Sequence, residues 1–196
     1  MDARAQRSGG RDPARGCGNR RTDVRAERDR VRRAWLRARA GAARDLSVRS
    51  PLRLVLDTNV WLDWLVFDDP SIAPIKAAVE TKRAEIFIDA ACEAELERAL
   101  GYDLGKKRTV DIPDCIALCR RVARRIGFPV PEAERAQLPA CRDPDDQKFL
   151  EAALAARAEF LVTKDRALLD LARRVAHFRI VAPEAFEKAD PSLRSG

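Results

Sequence analysis

The order of apolar and polar positions predicts strands that alternate with helices from Leu52 onward. The apolar run from Leu52 to Leu56 is typical of a strand buried on both faces of a parallel sheet. Such alternation predicts a three-layer α/β/α fold with a mainly parallel central sheet. The further predicted strands are 85–88, 159–162 and 178–181, and the predicted helical segments are 59–67, 72–81, 92–100, 111–126, 144–157, 165–175 and 183–188.

The first 50 residues differ in composition from the rest of the chain. Residues 1–50 contain 15 Arg, no Lys and 6 acidic residues, a net charge of +9, whereas residues 51–196 sum to −2. We therefore divide the chain into an Arg-rich tail (1–50), a near-neutral α/β domain (51–190) and a short C-terminal tail (191–196). We interpret the first tail as a solvated or mis-started segment, although Thr22 to Asp45 is compatible with a basic helix. The alternative is an arm that attracts RNA phosphates.

The composition excludes several classes of function. His177 is the only histidine, which rules out two-imidazole catalysis and a His-rich zinc site. No apolar run is long enough to span a membrane, and the first residues lack the apolar core of a secretory signal. Five cysteines without a CxxC pair indicate a reduced, cytoplasmic protein, and Cys115 and Cys119 read as small buried apolar residues.

Acidic residues follow the predicted strands, where open α/β sheets place their functional sites. Asp57 ends the first strand, and Asp165 follows the predicted strand 159–162. Carboxylates crowded at one sheet edge repel one another unless a cation neutralises them, and such oxygen ligands suit Mg²⁺ or Mn²⁺. The pattern therefore predicts a metal-dependent phosphoryl-transfer site. Its other candidate acids are Glu93, Glu95, Glu97, Asp143, Asp145 and Asp146.

Each of these acids also has a structural interpretation. Asp143 before Pro144 is a good helix N-cap, and Asp145 and Asp146 would complement the dipole of the helix that follows. Asp57 and Asp165 are equally suited to capping the helices after them. Capping alone, however, does not require an Asp within the apolar sequence LVLDTN.

Four segments together resemble the PIN domain family. They are LVLDTNVWLDWLV (54–66), AELERAL (94–100), RDPDDQKFLEAALAARAEFLVTKDRALL (142–169) and FRIVAPEAF (178–186). The resemblance extends over about Leu52 to Ala189, and it is nearest to bacterial toxins of toxin–antitoxin systems. It implies a PIN-like fold, a Mg²⁺- or Mn²⁺-dependent ribonuclease, an RNA substrate and a cognate antitoxin protein.

The resemblance also implies roles for individual residues. By position, the four acids that bind metal and catalyse are Asp57, Glu95, Asp146 and Asp165. Asn59 matches an asparagine that buttresses the pocket, and Thr163 lies beside the fourth acid. Asp143 and Asp145 compete with Asp146 for the third place. Two family positions differ here: a further acid is replaced by Ala167, and a usual glycine by Arg157.

Several alternatives stay open on the sequence alone. The chain could be an inactive PIN-like module that binds RNA or a protein, or an RNA-processing nuclease outside any toxin system. An aspartyl-phosphate phosphatase is disfavoured because Asn59 stands where that chemistry needs an acid. Substrate-binding residues are not predicted. Basic candidates for phosphate contact are Lys106, Lys107, Arg108, Lys148 and Lys164, and the apolar helix with Trp61 and Trp64 is expected in the core or, less favoured, at a homodimer or antitoxin interface.

Overall fold

A computed structural model describes Arg30, Arg33 and residues 50–102 and 110–189. The predicted basic helix over Thr22 to Asp45 lies outside these residues except for Arg30 and Arg33. The basic run Lys106 to Arg108 also lies outside them. In the described part of the chain, no helix has the length and apolar content needed to cross a membrane.

Five parallel strands form one sheet. They are β1 (Leu52–Leu56), β2 (Ala84–Ile88), β3 (Ala123–Arg125), β4 (Phe160–Val162) and β5 (Arg179–Val181). Their order in the sheet is β3-β2-β1-β4-β5, so the central strand β1 pairs with β2 on one side and with β4 on the other. These three strands carry fully buried residues such as Leu54, Ile86 and Leu161, as expected for a parallel sheet covered on both faces.

Helices connect the strands and complete the three-layer α/β/α architecture that the alternating pattern predicts. The helices are α1 (Thr58–Leu62), α2 (Ala73–Glu80), α3 (Ala90–Leu100), α4 (Ile112–Val122), α5 (Glu132–Arg135), α6 (Gln147–Ala155), α7 (Arg166–Asp170) and α8 (Phe186–Ala189). Helix α1 continues as a π-helical turn over Asp63–Phe67, and short 3-10 turns at Pro70–Ile72 and Pro144–Asp146 lead into α2 and α6.

One predicted element is wrong in part. The helical periodicity over residues 111–126 holds only for α4, because Ala123–Arg125 turns into the edge strand β3. This strand pairs with β2, where Ala123 lies opposite Ile86. Its two arginines are exposed, so a pairing partner distant in sequence, and not the local apolar pattern, determines the strand.

Helix α6 ends in a Schellman motif whose key residue is not a glycine. Arg157 adopts φ 47°, and its N–H donates to Leu154 O while the N–H of Ala158 donates to Ala153 O. A residue with a Cβ is strained in this left-handed region by about 1 kcal/mol. The strain falls at the position where the family resemblance places a glycine.

Candidate active site

The sheet has a topological switch point between β1 and β4. From β1 the chain proceeds outward to β2 and β3, and it then returns to the other side of β1 to form β4 and β5. Ligand sites in open α/β sheets lie at such a point, outside the carboxyl ends of the strands. Asp57 directly follows β1, and Thr163 and Asp165 follow β4, so these residues meet at the predicted place.

Asp57 is held in a buried position by both strands. Its side chain is only 2% exposed, its N–H donates to Val162 O at 3.0 Å, and its Oδ1 accepts from Val60 N at 3.0 Å as the N-cap of α1. Burial raises the pKa of the Asp57 carboxyl, against the opposing effect of the hydrogen bonds that it accepts. Asp57 is therefore a helix cap, as the structural interpretation proposed, and also a buried carboxyl at the switch point.

Thr163 connects Asp57 with Asp165. This fully buried side chain donates through Oγ1 to Asp57 Oδ2 and accepts from the backbone N–H of Asp165 at 2.9 Å. Asp165 in turn caps α7, accepting from Ala167 N at 2.6 Å and Leu168 N at 3.1 Å. One hydroxyl thus fixes the relative position of two acids from separate strands.

Glu95 reaches the same edge from α3. Its Oε1 accepts from Thr58 Oγ1 at 3.0 Å, which connects it to the residue next to Asp57. Its other carboxylate oxygen forms an ion pair with Lys148 of α6, whose ammonium also donates to Asp145 O. Lys148, a sequence-predicted candidate for phosphate contact, therefore reduces the negative charge at this edge.

Asp146 is surrounded by other carboxylates. Burial, followed by the charges of Asp165, Asp143, Glu95 and Asp57, raises the pKa of its carboxyl to about 6. Each of these acids is therefore close enough to Asp146 to disfavour its ionised form. The sequence-predicted acids from four segments do share one end of the sheet.

The two neighbours of Asp146 are more exposed. Asp143 caps the 3-10 turn by accepting from Asp145 N at 2.9 Å, as its position before Pro144 predicted. Asp145 is also exposed. Of the three candidates for the third acid, only Asp146 is partly buried.

Other sequence-predicted residues contribute no carboxylate to this cluster. Asn59 is exposed, and its backbone N–H contributes a hydrogen bond to Asp57. Glu93 is buried on another side of α3, where it forms a 2.7 Å ion pair with Arg120 of α4, and Glu97 is exposed. Trp61 is buried in the core, as the favoured interpretation predicts, whereas Trp64 is only half-buried, and the interface interpretation stays a prediction.

A second ion-pair group beside the site has no signal in the sequence pattern. Lys164, between Thr163 and Asp165, lies 2.6 Å from Asp63 Oδ2 and 3.3 Å from Asp69 Oδ2. These contacts tie the π-helical turn after α1 to the end of β4. Local spacing could not indicate them, because the partners lie about a hundred residues apart.

The acidic side chains at this edge can be compared with the ligands that a divalent cation binds. In residues 50–102 and 110–189, no three Asp, Glu, His or Cys side chains stand close enough together to be a ready-made metal site. The chemistry of these residues fits a divalent cation nevertheless. They offer hard carboxylate oxygens, the pKa of Asp146 is raised by burial and by negative neighbours, and Glu95 already binds an ammonium group. These are the properties of a pocket that attracts positive charge.

The fold and the position of the acids define an α/β protein with an acidic site at the switch point of a parallel sheet. Residues 53–167, more than half of the chain, match the PIN domain, and the chain belongs to this family. Proteins of the family are generally metal-dependent nucleases, typically use divalent metals and bind RNA. A search of curated proteins finds no match to the chain.

Proposed function

We propose that this chain is a divalent-metal-dependent ribonuclease that hydrolyses RNA phosphodiester bonds. The observation that carries the proposal is the grouping of Asp57, Glu95, Asp146 and Asp165 at the switch point of a PIN-domain sheet. Four carboxyl groups gathered there from separate segments repel one another and destabilise the fold, and a cation would remove that repulsion.

The four acids would hold one or two Mg²⁺ or Mn²⁺ ions, with Asp143 and Asp145 at the rim. The chemistry that a bound ion supplies is Lewis-acid activation of water and stabilisation of the leaving 3′-oxygen. Thr163 orients Asp57 relative to Asp165, and Thr58 orients Glu95. Water adds to phosphorus, the bond to the 3′-oxygen breaks, and the products are a 5′-phosphate and a 3′-hydroxyl.

The first experiment compares RNA cleavage by the wild type and Asp57→Asn. Labelled RNA is incubated with Mg²⁺ or Mn²⁺ and, separately, with EDTA. Asn caps a helix as well as Asp, so the variant keeps the α1 cap. It loses the charged ligand and, at the Oδ2 position, the acceptor of the Thr163 hydrogen bond. We expect metal-dependent cleavage that falls by at least about 100-fold in Asp57→Asn, the scale of losing a principal charge-stabilising group.

The matched control is Asp111→Asn, the same substitution at the N-cap of α4, which lies away from the acidic site. It is expected to cleave RNA as the wild type does. Cleavage by Asp57→Asn at the wild-type rate would contradict the assignment. A 2′,3′-cyclic phosphate product would contradict the mechanism, because it requires attack by the 2′-hydroxyl of the RNA and not by water.

The biological role that we propose is that of a cytoplasmic toxin held inactive by a cognate antitoxin. Support comes from the resemblance of the four motif segments to bacterial toxins of this kind. Induced expression of the wild type in a bacterial host should stop growth, and Asp57→Asn should not. Equal growth of cells that express either protein, at equal protein levels, would favour an RNA-processing nuclease.

The second candidate function is a catalytically inactive module that binds RNA or a protein. The ion pair between Lys148 and Glu95 favours it, because an internal ammonium can compensate the acidic cluster without a metal. Calorimetric titration with Mn²⁺ separates the two functions. A saturable site lost in Asp57→Asn supports the nuclease, whereas no heat of binding supports the inactive module.

A further inference from the structure

A cavity of about 590 Å³ opens beside the acidic site. Three arginines line it, Arg142, Arg166 and Arg174, together with Ala167 and Asp170. The remaining lining residues are Ala140 and Leu171.

The cavity adjoins the acidic site through the chain itself. Arg166 directly follows Asp165, and Arg142 directly precedes Asp143. The segment before Arg142 is also tied to the acidic site, because the Cys141 N–H donates at 2.8 Å to Oε1 of Gln147, the residue after Asp146. The arginine-lined cavity therefore borders the acidic site.

The described residues compensate the charge of this cavity only in part. In the part of the chain that the structure describes, none of the three guanidinium groups forms an ion pair, and Asp170 is the only acid in the lining. The side chain at position 167 adds no charge, because it is an alanine at a position where the family resemblance suggested a further acid. The lining carries a formal charge of +2, from three arginines and one aspartate.

We propose that the cavity lined by Arg142, Arg166 and Arg174 binds phosphodiester groups of single-stranded RNA on one side of the bond that is cut. This inference rests on the proposed nuclease function, since it places the strand next to the acidic site. Guanidinium groups bind phosphate oxygens in a bidentate geometry and read no base, so this mode of binding is independent of sequence. The negative acidic cluster alone would repel the RNA backbone, and the three arginines provide attraction beside it.

The test measures binding of a fluorescent oligouridylate in the Asp57→Asn background with Mg²⁺, where the RNA should stay intact. Arg142→Gln, Arg166→Gln and Arg174→Gln are each expected to raise the dissociation constant about 5-fold, and the triple variant about 100-fold. In the triple variant, the dependence of log K on log salt between about 50 and 200 mM should weaken by about 0.7 for each phosphate that the protein no longer neutralises.

The matched control is Arg173→Gln, which removes an exposed arginine next to Arg174 that does not line the cavity. It should change the dissociation constant less than about 2-fold, as expected for a weakly interacting surface charge. A methylphosphonate oligomer of the same sequence has no backbone charge and should bind the parent and the triple variant equally weakly. Equal RNA binding by the triple variant and the control, or equal loss in both, overturns the proposal.

Failure of this proposal is distinct from failure of the nuclease function. If the wild type cleaves RNA and the triple variant binds as tightly as the control, the cavity has another role and the nuclease stands. If the wild type does not cleave RNA but the triple variant alone loses binding and salt dependence, the cavity binds RNA phosphates and the nuclease function is wrong.

Discussion

Asp146→Asn should stabilise the folded protein when no divalent ion is present. In the folded state, the Asp146 carboxylate faces partial burial and the charges of four other acids, which together raise its pKa from 3.8 to about 6. The unfolded chain lacks these neighbours. Replacing the carboxylate by a neutral amide of the same shape removes the repulsion and leaves the backbone of the turn unchanged.

The magnitude follows from the shift in pKa. A change from 3.8 to about 6 corresponds to at most about 3 kcal/mol. Because Asp146 is only partly buried, screening by solvent reduces this to about 1.5 kcal/mol. The variant also loses a favourable charge at the start of α6, about 0.5 kcal/mol. The net gain is about 1 kcal/mol, or roughly 3–4 °C in Tm.

The stability gained by Asp146→Asn is expected to decrease as the pH falls. A carboxyl whose folded pKa lies above its unfolded pKa destabilises the fold when it is ionised, so the penalty is complete above about pH 6 and absent below about pH 4. Urea unfolding in EDTA, followed by circular dichroism, should show the variant more stable near pH 7.5 and equal to the wild type near pH 4. Excess Mg²⁺ should favour the wild type, since it stabilises the protein that binds it more tightly.

The control for this experiment is Asp145→Asn, an exposed neighbour whose substitution should change the free energy of unfolding by less than about 0.5 kcal/mol. The reasoning is refuted if Asp146→Asn shows no gain near pH 7.5 in EDTA. It is equally refuted if the gain is the same near pH 4, because the Asp146 carboxyl is then protonated and carries no charge to be repelled.

Four further predictions concern single side chains. Phe186→Ala should lower the free energy of unfolding by about 3–5 kcal/mol in urea titrations, because this fully buried ring would leave a cavity; a decrease below about 1 kcal/mol would contradict its place in the core. Thr163→Val should lower the free energy of unfolding by about 1–3 kcal/mol and abolish RNA cleavage, since buried Asp57 loses its hydroxyl donor. A fully active variant would exclude a role for Thr163 in positioning Asp57. Arg157→Gly should raise the unfolding free energy by about 1 kcal/mol, whereas Arg157→Ala, which removes the charge but keeps a Cβ, should give a smaller gain. The thiol of Cys119 should react with iodoacetamide only after unfolding, because burial raises its pKa to about 12; labelling of the native protein near pH 8 would contradict its burial.

The sequence was sufficient for the elements that carry their own signal. Strand β1 is apolar except for Arg53, and Asp57 and Asp165 cap helices that follow buried strands, so these strands and caps were predictable. The end of α4 could not be predicted from the sequence. Its apolar spacing continues through Ile126, and only pairing with β2 turns Ala123–Arg125 into a strand.

Within the site, the sequence predicted the acids but not their partners. Thr58 donates to Glu95 across 37 positions, and Lys148 reaches Glu95 from another helix. Such contacts depend on how α1, α3 and α6 pack, which no local pattern encodes. For the same reason, only the family resemblance, and no local pattern, distinguished Glu95 from Glu93, which is buried against Arg120.

The pairing of β4 with β1 has a consequence for protein synthesis. Asp57 and Thr163 are separated by 106 positions, so the ribosome reaches Thr163 about 5–20 s after it has added Asp57. During that interval a nascent chain contains Asp57 and Glu95 but not the strand that completes their surroundings. The acidic cluster forms only after β4 has been made and has paired with β1. A chain attached to its own messenger RNA therefore lacks the complete site until translation has passed β4. Under the ribonuclease function proposed above, this delay would protect the message that encodes the chain.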